Sequence, residues 1–187
     1  QFEPTEEMWV DQIHQSSEGK SDRNFAILER MITNPDDHRA VIYMARQHMA
    51  VGNFFEAADW FLKFFKLRSP GDAPIEKWES LIYRARCLRH AGDLSGALAT
   101  AQQAMMLEPQ YMDGYLEMSE VYALLGEYTK AIEWTQQALT KARPPRVVIQ
   151  NPLDYDLRPF RILLFAYGKQ KKYEEAIAAA HECLKGT

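Results

Sequence analysis

The residues of this chain whose types and spacing come nearest to a chemical site are Asp154, Tyr155 and Asp156. Two carboxylates one residue apart can offer oxygen ligands to a hard cation, and that cation could in turn hold a phosphorylated substrate. The triplet also precedes a helical pattern, where aspartate serves as a cap and answers the helix dipole, and the cap is the reading the sequence favours. The five histidines are scattered, and His48 falls where a large core side chain is expected. Cys87 and Cys183 are far apart, have no evident histidine partner and form no CxxC pair, so neither a disulfide framework, a zinc site nor a catalytic thiol is expected. No glycine-rich phosphate loop, GxSxG elbow or HExxH pair is present. Catalytic residues, bound metal and cofactor are therefore all expected to be absent.

Any such site would have to be positioned by packed elements. With 187 residues, 47% of them hydrophobic and 26% charged, the chain has the balance of one packed domain. Apolar runs such as Ile162 to Ala166 are far shorter than the roughly 20 residues that span a bilayer, so no membrane association is expected. The net charge of −4, without a basic stretch interleaved with aromatics, argues against nucleic acid. Reduced cysteines and the lack of a secretory signal fit a cytoplasmic location. The start at Gln1 is read as that of an excised piece, so a larger parent protein is expected.

Four segments repeat one pattern: Gly52-Asn53-Phe54-Phe55-Glu56-Ala57, Gly92-Asp93-Leu94-Ser95-Gly96-Ala97, Gly126-Glu127-Tyr128-Thr129-Lys130-Ala131 and Lys171-Lys172-Tyr173-Glu174-Glu175-Ala176. Each lies between two stretches with apolar residues at helical spacing, such as Tyr115, Met118, Val121 and Tyr122 before and Ile132, Thr135, Ala138 and Leu139 after. This predicts helix, tight turn, helix. Glycine can take the left-handed conformation that ends the first helix, Asn53 or Asp93 can cap the second, and Ala57, Ala97, Ala131 and Ala176 leave room for close helix crossing. Lys171 breaks the pattern and leaves the fourth turn less well specified. Ser69 to Pro74 and Arg143 to Asp154 read as longer connectors, the latter holding the one strand-like run, Arg146 to Ile149.

The turn residues stand 40, 34 and 45 residues apart, and the middle spacing is the tetratricopeptide period. The chain resembles that family most closely in its third repeat, through Pro109, Tyr115, Met118, Ser119, Tyr122, Ala131 and Ala138. The resemblance implies an all-α, right-handed solenoid over residues 1–187, with repeats at 36–68, 74–109, 111–142 and 155–185. Residues 1–34 would be a degenerate leading pair, its helices at Thr5 to His14 and Ser21 to Ile32. A narrower resemblance, to the tetratricopeptide region that follows the catalytic domain in bacterial and phage family-2 glycosyltransferases, rests on the order of Arg23-Asn24, Leu28-Glu29, Asn34-Pro35-Asp36-Asp37, Tyr43-Met44-Ala45-Arg46 and Asp154-Tyr155-Asp156 with Pro159. It would make this chain the non-catalytic tail of an enzyme.

In tetratricopeptide proteins the first helix of each pair lines the concave face. The family's ligand-facing positions, carried over by the turn register, put Arg39, Arg46, Arg86, Arg89, His90, Arg158, Arg161 and Lys169 on that face, with Asp113 and Glu120 among them. The resemblance thus implies a protein or peptide partner, and an acidic one would suit the face, since guanidinium forks match carboxylates. The alternative is a solvated face on which Asp113 and Glu120 pair some of the arginines. The chaperone-tail clamp is not expected, because Ile42 and Arg46 stand where that clamp uses lysine and asparagine. The last helix carries Ile177, Ala178, Ala179, Ala180 and Leu184, and predicts either an end-to-end homodimer or a cap formed by Val147, Val148 and Ile149 folding back.

Overall fold

The computed structural model describes residues 21–32, 37–67, 74–144 and 155–185. Among them lie nine α-helices and no strand: α1 (21–31), α2 (His38–Ala50), α3 (Phe54–Lys66), α4 (Pro74–His90), α5 (Leu94–Leu107), α6 (Asp113–Leu124), α7 (Tyr128–Leu139), α8 (Arg158–Lys169) and α9 (Tyr173–Lys185). From α2 onward each helix packs on the next, and α6 also touches α4 and α8, so these three form one layer of the solenoid. Helix α1 docks on α2 through Asn24 and Ser21, both bonded to the Gln47 side chain, and through the ring of Phe25 against His48. The Thr5 to His14 helix and the Arg146 to Ile149 run, with its proposed fold-back, lie outside the described residues.

The four turns share one backbone plan. Gly52, Gly92 and Gly126 take φ of 82°, 88° and 80°, and the amide after each reaches back to the carbonyl five residues earlier, as Asp93 N–H does to Leu88 at 2.9 Å. A left-handed residue closing the helix with this back-bond satisfies carbonyls that would otherwise be orphaned. Lys171 adopts the same conformation at φ 60°, and Lys172 N–H bonds Tyr167 O at 3.0 Å. The fourth turn is therefore built like the others in spite of its side chain. Of the expected caps, Asp93 accepts from Gly96 N–H at 2.9 Å, whereas Asn53 makes no side-chain capping bond. Helix α3 is capped through its backbone alone, which corrects the expectation for Asn53.

The small residues sit at the crossings. Ala57, Ala97 and Ala131 are fully buried and Ala176 nearly so. The Ala131 carbonyl accepts both the Ser119 hydroxyl, at 2.7 Å, and the Thr135 hydroxyl, at 2.8 Å, tying α6 to α7 in the interior. Gly114 is needed where α6 meets α5, because a Cβ there would stand 2.9 Å from the Met105 amide nitrogen. The α5–α6 connector is pinned to the end of α7 by Met112 N–H to Ala142 O and Ala142 N–H to Gln110 O. On α9, Ala179 packs inward with Ala131, Leu163 and Ala166. It is thus no part of an outer packing surface, and the large apolar residues exposed on that helix are Tyr173, Ile177 and Leu184.

Candidate functional site

The inner layer brings together side chains that are remote in sequence. At its middle is Glu117 of α6, a carboxylate shut away from solvent. Three guanidinium groups converge on it. Arg86 Nε lies 3.1 Å from Oε1, Arg158 Nη2 lies 2.7 Å from the same oxygen, and Arg89 Nε stands 3.5 Å from Oε2. Glu120, one helical turn along, takes Arg89 Nη2 at 2.6 Å and Arg158 Nε at 2.9 Å. Burial acts to raise the Glu117 pKa, yet Arg158, Arg86 and Arg89 outweigh it and hold the carboxyl down at about 2. Arg158 is itself buried, and such a charge is tolerated only when paired and hydrogen-bonded.

Asp113 lies beside this cluster in another role. Its Oδ1 accepts the Tyr155 hydroxyl at 2.9 Å, and burial raises its pKa above the usual carboxylate value. Asp156 is paired with Arg143. Of the acid-x-acid triplet, then, Tyr155 is engaged in the interior and Asp156 in a surface ion pair, while Asp154 lies outside the described residues. Among the described residues no group of three or more metal-ligating side chains gathers, and no helix is long and apolar enough to cross a membrane.

The eight basic residues assigned to the concave face separate into distinct environments. Arg86, Arg89 and Arg158 are drawn into the Glu117–Glu120 cluster. Arg46 stands 3.7 Å from Glu79, and with Arg39, Ile42, Tyr43 and Phe64 it lines a hollow of about 250 Å³ between α2 and α4. His90 stacks on Phe54 with ring centroids 5.0 Å apart, and its pKa is lowered by burial and by Arg89. Lys169 lies over the Phe165 ring at 5.4 Å. Arg161 is exposed and has no carboxylate within ion-pair distance among the described residues. It lines an open groove of about 520 Å³ between α6 and α8, with Leu124, Ile162, Leu164 and Phe165 beside it and Arg89, Arg158 and Glu120 along one side.

Glu117 was not among the residues singled out from the sequence. The family's ligand positions bracket it and pass over it, and the available signal was a carboxylate flanked directly by Leu116 and Met118. A charge in the middle of an apolar run implies buried counter-charges. Glu120 does pair arginines as the alternative reading held, whereas Asp113 bonds a tyrosine. His48 packs against Phe25 and burial lowers its pKa, but it is only half-buried and lies at the edge of the core. Cys87 is buried with its pKa pushed up to about 12, which leaves the thiol unreactive.

Residues 88–148 match the tetratricopeptide repeat family. MamA has a similar structure, with a TM-score of 0.68 at 18% identity over 92% of each chain. The fold is a tetratricopeptide-type solenoid. A thermophilic tetratricopeptide protein of Thermus thermophilus superimposes with a TM-score of 0.62 at 24% identity, covering 94% of this chain and 87% of its own. YrrB, described as a tetratricopeptide protein with an unusual peptide-binding site, gives 0.60 at 15% identity over 92% of this solenoid and 80% of its own chain. A search of curated proteins gives no match.

Proposed function

We propose that the solenoid is a non-catalytic interaction module whose inner face takes a segment of a partner protein. The observation that carries this reading is the groove between α6 and α8. Leu124 and Phe165 are 57% and 46% exposed there, an apolar lining left open to solvent beside charged side chains. Large apolar groups held open in a concavity cost free energy that a bound segment recovers by covering them. A photo-crosslinking residue placed at Leu124 is expected to yield one defined protein adduct in cells. The same residue at Met106, which is 72% exposed and outside this groove, is expected to yield none. Adducts from Met106 alone, or from neither site, would overturn the reading.

A second reading places the solenoid in a family-2 glycosyltransferase as an accessory region that presents the acceptor or mediates assembly. It is supported by the order of the segments from Arg23-Asn24 to Pro159. The residues encoded before Gln1 test it: a sheet-forming nucleotide-sugar domain favours it, and an initiator methionine refutes it. Self-association is supported by Tyr173, Ile177 and Leu184, which share one exposed face of α9. Light scattering over a concentration series, with Ile177→Glu as the disrupting variant, is expected to show a dimer that the substitution dissociates. A monomer at every concentration would refute it.

A further inference from the structure

We infer that the α6–α8 groove selects a partner segment in which a carboxylate is flanked by large apolar side chains, and that Arg161 is the residue that reads the carboxylate. This rests on the inner-face reading above and names the chemistry of its ligand. Three arginines line the groove, Arg89, Arg158 and Arg161, against the single carboxylate of Glu120. Lys169 adds a further cation from α8, over the Phe165 ring, so positive charge prevails even when the buried Glu117 is included. Neither Arg161 nor Lys169 has a carboxylate within ion-pair distance among the described residues. The groove is thus positive in a chain whose net charge is −4. A complementary ligand is acidic.

Geometry then decides which cation is available. Arg158 donates through Nε and Nη2 to the two glutamates, and Arg89 through Nη2 to Glu120. Taking either for a ligand would strip a buried carboxylate of its partner, which is costly. Arg161 can turn to a ligand without disturbing the cluster. Its guanidinium fork matches a carboxylate bidentately, and such a pair gains strength where water is excluded.

The neighbouring surface distinguishes a peptide from a bare anion. Leu124, Leu164 and Phe165, all exposed, adjoin Arg161 in the same groove. A free phosphate or a nucleic-acid backbone would leave these side chains wet. A polypeptide segment with leucine, isoleucine or phenylalanine next to aspartate or glutamate would cover them and pair Arg161 in one step.

A random decapeptide library displayed on phage, selected against the whole chain, tests the assignment. The expected result is enrichment of sequences that set Asp or Glu beside large apolar residues, with recovery reduced about tenfold on Arg161→Glu, which corresponds to about 1.4 kcal/mol. Lys172→Glu, with the same charge change at an exposed position before α9, is expected to leave recovery unchanged, and both variants should keep the wild-type thermal transition. Selection of neutral or basic sequences, or acidic ones that survive Arg161→Glu, would overturn this inference while leaving the inner face a binding surface. Failure to enrich any sequence would overturn both readings.

Discussion

Arg158 and Arg161 stand three residues apart on α8, carry the same guanidinium group and occupy opposite situations. Arg158 is buried and shared between two glutamates of α6, so it joins neighbouring repeats. Arg161 is exposed at the rim of a groove and has no carboxylate within ion-pair distance among the described residues. Both positions fall in the register that the resemblance to tetratricopeptide proteins assigns to ligand contact. The difference shows that the register says which face a cation occupies, while the counter-charge on the adjacent helix decides whether it holds the solenoid together or remains available to a partner.

Removing the counter-charge should break this comparison most severely. Glu117→Gln keeps the shape but leaves three guanidinium groups converging on a neutral amide, with Arg158 dependent on Glu120 alone. Loss of one partner from a buried ionic cluster costs about 3–5 kcal/mol, whereas Arg161→Gln at an exposed position should stay within about 0.5 kcal/mol. Urea denaturation measures both. Equal midpoints for the two variants would mean that the cluster adds no more than a surface pair.

Acid gives an independent reading of the same cluster. The Glu117 carboxyl is held at about 2, below its ordinary 4.5, so its contribution is complete above the ordinary value and is lost as pH falls through the folded one. Stability should therefore decline between about pH 4.5 and pH 2. Asp113, raised by burial, acts in the opposite sense: its protonation relieves a buried charge and offsets part of the decline. In Glu117→Gln the acid-induced loss should be shallower than in the wild type. A steeper one would assign the acid sensitivity to other carboxylates.

Ala131→Leu tests an inter-helix joint that is held by packing and carries no charge. Ala131 is fully buried, with its carbonyl accepting from Ser119 and Thr135, so a larger side chain must push α6 from α7 at a cost of about 1–3 kcal/mol. Lys130→Ala, one residue earlier and exposed, should cost little. Their denaturation midpoints should separate accordingly.

How far the fold could be read from the sequence follows from which interactions are local. Gly52, Gly92 and Gly126 mark turns whose geometry is decided by neighbouring residues, and Ala57, Ala97 and Ala131 mark crossings decided by side-chain size. Those features were legible. The pairing of Glu117 with Arg86, 31 residues away, and with Arg158, 41 residues away, depends on how successive repeats are stacked, and no spacing rule records that. The failure of Asn53 to cap α3, where Asp93 caps α5, turns on side-chain orientation, which residue type alone does not determine. The exposed Arg161 was placed on the inner face by the register, but its availability could be seen only once its neighbours had been assigned their partners.

The smallest expected effect concerns the turn that joins α8, the helix carrying both arginines, to α9. Lys171 holds the left-handed conformation that the other three turns give to glycine. For a residue with a Cβ this conformation costs about 1–2 kcal/mol, and glycine would relieve it while losing about 0.5–1 kcal/mol to the greater freedom of the unfolded chain. The net gain for Lys171→Gly should be about 0.5–1 kcal/mol, read as a rise in Tm of about 1–4 °C for a domain of this size. Because Lys171 is exposed, no buried contact is lost in the exchange. The converse change, Gly126→Lys, moves a comfortable turn into the strained state and should lower Tm by a similar amount. If Lys171→Gly lowers Tm while Gly126→Lys leaves it unchanged, the left-handed turn at Lys171 is not the conformation the fourth repeat adopts in solution, and the shared turn plan would hold for the first three repeats only.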